Sequence, residues 1–110
     1  MIDQHRYLSC IESCSSCATA CECCAAACLI EANPAELTRC IQLCRDCSDV
    51  CRLAAVLMMR ESEYAAALCR LCVVLCGDCA EECGLHGSHH CQECARTCQL
   101  CVEECELMAA

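Results

Sequence analysis

The stretch CQECARTCQLCVEEC, residues 91–105, places a cysteine at each position where an amphipathic helix would normally bury a leucine. Successive cysteines are three or four residues apart, which is the spacing of one face of an α-helix. Three earlier blocks of the chain repeat this spacing, and Cys23 alone departs from it. A β-strand would need a period of two. The pattern therefore predicts four helices, each with a stripe of thiols along one face.

Residues between the blocks mark where the helices begin and end. Asn33 and Ser62 are suited to N-caps, Pro34 to a first helical position, and Ser88 to the N-cap of the last helix, while Gly84 ends the helix before it. The predicted helices are roughly 3–31, 34–59, 63–83 and 89–108. Short connections make neighbouring helices antiparallel. We therefore expect an all-α, antiparallel up-down-up-down four-helix bundle with a cysteine-lined interior, forming a single domain over residues 1–110.

Composition limits the classes of protein that this chain can belong to. It has 110 residues, with 21 cysteines, two tyrosines and no Phe or Trp, so the cysteines must form much of the core. The formal net charge of −9 argues against a nucleic-acid partner. No uncharged apolar run is long enough to cross a membrane, so we expect no membrane partner. The start, MIDQHRYLSC, does not resemble a secretory signal, which favours a cytoplasmic location where thiols stay reduced.

Three roles are open to so many thiols: core packing, disulfides and metal binding. Packing alone is disfavoured, because Ala, Val or Leu would pack as well without being oxidised. Disulfides within a helix are strained, since Cβ atoms four residues apart lie about 5–6 Å from each other, whereas a disulfide needs about 3.5–4.5 Å. Disulfides between helices stay open as an alternative, but a helical bundle of this length does not need so many. Metal binding is therefore the favoured role, with the twenty in-register cysteines as ligands. These are Cys10, Cys14, Cys17, Cys21, Cys24, Cys28, Cys40, Cys44, Cys47, Cys51, Cys69, Cys72, Cys76, Cys79, Cys83, Cys91, Cys94, Cys98, Cys101 and Cys105.

Charge favours Cu(I) over Zn(II) as the bound ion. A zinc ion with four thiolates keeps two net negative charges, and burying several such sites is costly where no Lys or Arg lies on the stripes. Cu(I) is soft, accepts two or three thiolates, and at one ion per thiolate leaves no net charge. Pairs of cysteines four residues apart could each hold one ion. We expect multiple Cu(I) ions per chain, on the order of ten to twenty.

The two ends of the predicted bundle differ in their remaining soft residues. His86, His89 and His90 lie between the third and fourth helices, and we define this as the histidine end. We expect at least one of these imidazoles to be a metal ligand where copper is loaded. Met58 and Met108 continue two stripes at the opposite end, defined here as the methionine end. A methionine on an apolar stripe is more often a core residue than a ligand.

These features resemble the copper storage protein family of bacteria, in particular its cytosolic branch. The resemblance rests on the four cysteine-striped helices, on the repeated Cys-x3-Cys pairs and on HHCQECARTCQLCVEEC, residues 89–105. It implies Cu(I) held by thiolates inside the bundle, a homotetramer, and storage and buffering of copper without enzymatic activity. A copper chaperone or a small thiol is the expected donor. The alternative is a zinc or mixed-metal sink that resembles metallothionein in its role.

Overall fold

The computed structural model describes residues 4–109, and the side chains of residues 7–109. Four α-helices follow one another along the chain: α1 Gln4–Leu29, α2 Thr38–Met59, α3 Ala65–Gly84 and α4 His89–Ala109. A short 3₁₀ helix, Pro34–Leu37, precedes α2. The predicted all-α bundle is confirmed. The described residues contain no β-strand.

The helices occupy the corners of a square. Helix α1 packs against α2 and α4, and α3 packs against the same two helices. Cys10 contacts Cys105 while Cys28 contacts Cys91, so α1 and α4 run in opposite directions. The result is an elongated bundle of 52 × 18 × 17 Å. Among the described residues, none of the helices combines the length and the apolar character that a membrane-spanning helix requires.

The helix boundaries differ from the predicted ones by a few residues, for local reasons. Pro34 does lie at the start of a helix, but its first turn is 3₁₀, and the Asn33 side chain makes no capping hydrogen bond. Helix α3 begins at Ala65 rather than at residue 63, because Ser62 is used in the turn before it: its Oγ accepts a hydrogen bond from the Tyr64 N–H at 3.0 Å. The predicted start of α1 at residue 3 lies outside the described residues.

The connection between α2 and α3 is fixed by a Schellman turn. The N–H of Ser62 donates to the carbonyl of Leu57, and the N–H of Glu61 donates to that of Met58. Glu61 has φ 53°, the left-handed conformation that this motif requires and that glycine adopts at lowest cost. At the histidine end, α3 continues one residue beyond the predicted 83, so Gly84 is its last helical residue and has no positive φ. The turn at the methionine end is therefore well hydrogen-bonded, but its left-handed position is occupied by Glu61, for which this conformation is less favourable than for glycine.

Sulfur fills the interior of the bundle. Twenty cysteines are buried, and Cys23 is exposed, as its position off the stripe predicts. Small and medium side chains such as Ala18, Ala54 and Val102 complete the core. Within residues 7–109, Ser48 is the one buried polar side chain. No buried cation therefore accompanies the thiols in the described part of the chain.

Candidate metal centre

The twenty buried cysteines line the interior of the bundle, most of them with Sγ atoms in direct contact, and are here called the thiol column. Cys17 shows the arrangement most clearly: its Sγ lies 3.7 Å from Cys47 Sγ on α2 and 3.6 Å from Cys98 Sγ on α4. It also lies 4.0 Å from Cys76 Sγ on α3. One thiol thus contacts a thiol from each of the other three helices. All described cysteines are free thiols rather than disulfides.

The Sγ–Sγ distances between cysteines on different helices are as short as those between cysteines on one helix, or shorter. Pairs four residues apart on one helix, such as Cys47 and Cys51, have Sγ atoms 3.8 to 4.0 Å apart. Between α2 and α3, Cys47 and Cys76 approach to 3.3 Å, and Cys40 and Cys83 to 3.4 Å. The sequence prediction considered pairs along a single helix. The tertiary structure adds the shorter pairs across helices, so an ion in the column can be held by two or three helices at once.

The thiols also form groups of four that share members. One group contains Cys17, Cys21, Cys47 and Cys98, with all sulfur atoms within 4.8 Å of one another. A second group contains Cys21, Cys44, Cys79 and Cys94. Cys21 belongs to both groups. The column is therefore a continuous series of sulfur donors that neighbouring groups share, and not a row of separate tetrahedral sites.

Proton sharing links the contacting thiols. Cys10 and Cys105 lie 3.7 Å apart, and their hydrogen bond lowers the pKa of Cys10 while it raises that of Cys105. The physical cause is that a thiolate accepts a hydrogen bond from a neighbour that keeps its proton. For Cys28, at the histidine end, burial is the main cause that raises the pKa, to about 12. A metal ion that binds here must therefore displace protons from the column.

His90 is the predicted histidine ligand that the structure brings to the thiols. Its Nδ1 lies 3.6 Å from Cys24 Sγ and 3.6 Å from Cys91 Sγ. Its Nε2 lies 3.4 Å from Glu31 Oε1. A proton on Nε2 donates to this carboxylate and leaves the Nδ1 lone pair facing the two sulfur atoms. Carboxylate, imidazole and thiols thus form a line from the surface into the column.

The other two predicted histidines lie farther from the thiols. The His86 Nε2 is 2.9 Å from Glu82 Oε2, and Glu82 is also 3.4 Å from the Arg39 Nε. His89 is exposed on the first turn of α4. An open cleft of about 230 Å³ lies beside them, lined in part by Glu31, Asn33 and His86. The histidine end is therefore polar, and open to solvent.

At the methionine end, the column is covered by apolar side chains. Met58 is 1% exposed, and its Sδ accepts a hydrogen bond from Cys69 Sγ at 3.7 Å. Met108 and Tyr7 are partly buried against the core. The sequence predicts that Met58 lies at this end near Cys69, and the structure adds the hydrogen bond between them. Sequence reasoning missed Glu31, because nothing in the local sequence links a residue after α1 to His90.

Fold and site together define a four-helix bundle whose interior is a thiol-based binding site for soft metal ions. The chain belongs to the copper storage protein family, whose model matches residues 3–110. The structure is similar to that of Cu(I)-bound copper storage protein BsCsp3, with a TM-score of 0.92 and 42% identity over 96% of this chain and 99% of that one. A search of curated proteins gives no match.

Two further structures have the same likeness. Apo copper storage protein 3 from Bacillus subtilis has a TM-score of 0.90 and 42% identity, over 94% of this chain and 99% of that one. A cytosolic copper storage protein from Streptomyces lividans, loaded with five coppers, has a TM-score of 0.92 and 39% identity, over 98% of this chain and 96% of that one. The predicted family is thereby confirmed.

Proposed function

We propose that this chain stores and buffers Cu(I), and that all twenty cysteines of the thiol column are its ligands. The contacts of Cys17 with all three other helices carry the proposal, because they make the donors continuous along the bundle. Cu(I) accepts two or three soft ligands, and one ion per thiolate adds no net charge to a core without cations. Many equivalent sites enclosed by protein suit storage rather than catalysis.

An anaerobic titration of the reduced protein with Cu(I) tests the proposal. We expect the ultraviolet thiolate-to-copper absorption to rise well beyond five equivalents per chain, toward the order of ten to twenty. Competition with a Cu(I) chelator measures the affinity over the same range. Saturation below five equivalents would refute storage along the whole column.

Zinc is the second candidate, because groups of four thiols lie within 4.8 Å of one another. A tetrahedral zinc site needs four such donors. However, Cys21 is shared between groups, so neighbouring sites would compete for it. Tight saturation near five Zn(II) ions, together with weak Cu(I) binding, would favour the zinc sink over the copper store.

The ligand assignment can be tested with one matched pair of variants. Cys98→Ala removes a thiol of the column that contacts Cys17 and Cys21, whereas Cys23→Ala removes an exposed thiol outside it. We expect Cys98→Ala to lower Cu(I) capacity without abolishing binding, and Cys23→Ala to leave it unchanged. Complete loss of binding in Cys98→Ala would indicate one special site rather than a store.

Loading is proposed to occur at the histidine end, through His90 and the outermost thiols, with His86 and His89 as further ligands there. We further propose a single cytosolic domain over residues 1–110 that receives copper from a chaperone or a small thiol. Cytosolic location is supported by the described location of the Streptomyces relative.

A homotetramer would cover exposed apolar side chains such as Leu71 and Val74 on α3. Size-exclusion chromatography with light scattering tests the tetramer.

A further inference from the structure

Met58 occupies a position on α2 where the stripe of thiols ends. Cys51 lies seven residues before it, on the same face of the helix, so Met58 continues the column by two turns. It is 1% exposed and is the largest of the fully buried side chains, whereas the next residue, Met59, is 58% exposed. The chain therefore places one methionine sulfur inside the column and another outside it, side by side in sequence.

The Met58 sulfur lies close to a thiol of α3. Cys69 Sγ lies 3.7 Å from Met58 Sδ, a separation similar to that between many thiols of the column. Cys10, on α1, lies near enough to Cys69 to raise the pKa of the Cys69 thiol. Met58, Cys69 and Cys10 thus come from three different helices, α2, α3 and α1, at the methionine end. Together they present two thiols and one thioether.

The chemistry of this trio suits Cu(I). A thioether is a soft donor without charge, which favours Cu(I) and is a poor match for Zn(II). At the methionine end, a neutral donor completes the coordination without adding a buried negative charge. Cys69 has no cysteine four residues before it, at Ala65, or four residues after it, at Val73, so it lacks the i, i+4 partner that most cysteines of the column have, and Met58 supplies a soft donor from another helix.

We propose that Met58 Sδ, Cys69 Sγ and Cys10 Sγ form a mixed thioether–thiolate Cu(I) site that terminates the thiol column at the methionine end. This inference rests on the proposed copper storage. Copper remains Cu(I) throughout, and each thiol that binds it releases one proton to solvent, while the thioether binds without losing one. The site is the last position that an ion reaches from the histidine end.

Alternatively, Met58 could serve only as an apolar side chain that covers the end of the column. The substitution Met58→Leu distinguishes this role from that of a copper ligand. Met58→Leu conserves volume and apolar character, and such exchanges usually cost less than about 1.5 kcal/mol, but it removes the sulfur. Met59→Leu is the matched control, because it removes the neighbouring exposed sulfur. Circular dichroism establishes that both variants keep the helical fold before copper is added.

Selenium X-ray absorption of the selenomethionine-substituted protein, fully loaded with Cu(I), is the direct test. We expect a Se–Cu scattering path in the native chain and in Met59→Leu, and none in Met58→Leu. We also expect Met58→Leu to bind about one fewer Cu(I) ion per chain at a fixed chelator concentration. A loaded native protein without a Se–Cu path would overturn the inference while leaving copper storage intact. Failure of the native protein to bind beyond five ions would refute copper storage itself.

Discussion

The two ends of the bundle enclose the same thiol column with different chemistry. At the histidine end, Glu31, Glu36 and His86 line a polar and open cleft, and His90, whose Nε2 lies 3.4 Å from Glu31, contacts two thiols directly. At the methionine end, the buried Met58 covers Cys69, and a Schellman turn closes the connection between α2 and α3. The bundle is therefore asymmetric along its axis, although its four antiparallel helices are similar. In the proposed route, ions exchange ligands with donors at the histidine end, and the methionine end both holds the last ion and stabilises the fold.

The largest expected effect is on stability, at the methionine end. Met58→Ala removes a fully buried side chain, so we expect it to lower the free energy of unfolding of the metal-free protein by about 2–4 kcal/mol. Met59→Ala is the control, and should change it by no more than about 0.5 kcal/mol, because Met59 is 58% exposed. Urea unfolding followed by circular dichroism measures both. Equal effects of the two substitutions would mean that Met58 does not seal the core.

The next effect is on the rate of loading, at the opposite end. Replacing His86, His89 and His90 together by Ala should slow uptake from a Cu(I) donor about tenfold, equivalent to about 1.4 kcal/mol in the barrier, because the imidazole ligand of the first transfer is lost. Capacity should change little, since the thiols remain. Stopped-flow absorption measures the rate. Slower loading in Met58→Leu, with an unchanged rate in the triple histidine variant, would place loading at the methionine end instead.

A smaller effect, of opposite sign, is expected at the turn of the methionine end. Glu61→Gly should raise the free energy of unfolding by about 0.5–1 kcal/mol, because glycine adopts the left-handed conformation at φ 53° without the strain of a Cβ atom. Thermal unfolding of the metal-free protein measures the change. Glu63→Gly is the contrasting variant two residues later, where no positive φ occurs. Stabilisation by both would show that the backbone of Glu61 is not the cause.

The smallest effect tests the carboxylate behind His90. Glu31→Leu should slow copper loading by about threefold, because His90 loses the acceptor that directs its Nδ1 toward Cys24 and Cys91. Glu31→Gln keeps an oxygen that can accept the same hydrogen bond, and should load at nearly the native rate. If both variants load slowly, the negative charge of Glu31 matters rather than its hydrogen bond.

Periodicity was sufficient to predict the helices and the interior. A spacing of three and four residues places every in-register cysteine on one helical face, and the structure buries all twenty. Cys23 falls outside that spacing and is exposed. Helix ends were less accurate, since the hydrogen bonds of turns decide them: Ser62 was expected to cap α3 directly, but it participates in the Schellman turn and delays the helix to Ala65.

The sequence by itself determined that this chain has a core of thiols, because the period of a helix depends only on local geometry. It also placed the histidines and Met58 at opposite ends, since short loops force antiparallel helices. Only the tertiary structure decided which sulfur atoms meet. Cys47 approaches Cys76 to 3.3 Å, and Met58 approaches Cys69 to 3.7 Å, because packing between helices sets these separations. Packing between helices also brings His90 Nδ1 to 3.6 Å from the Sγ atom of Cys24 on α1. The residue pattern along a single helix cannot predict a distance between two helices.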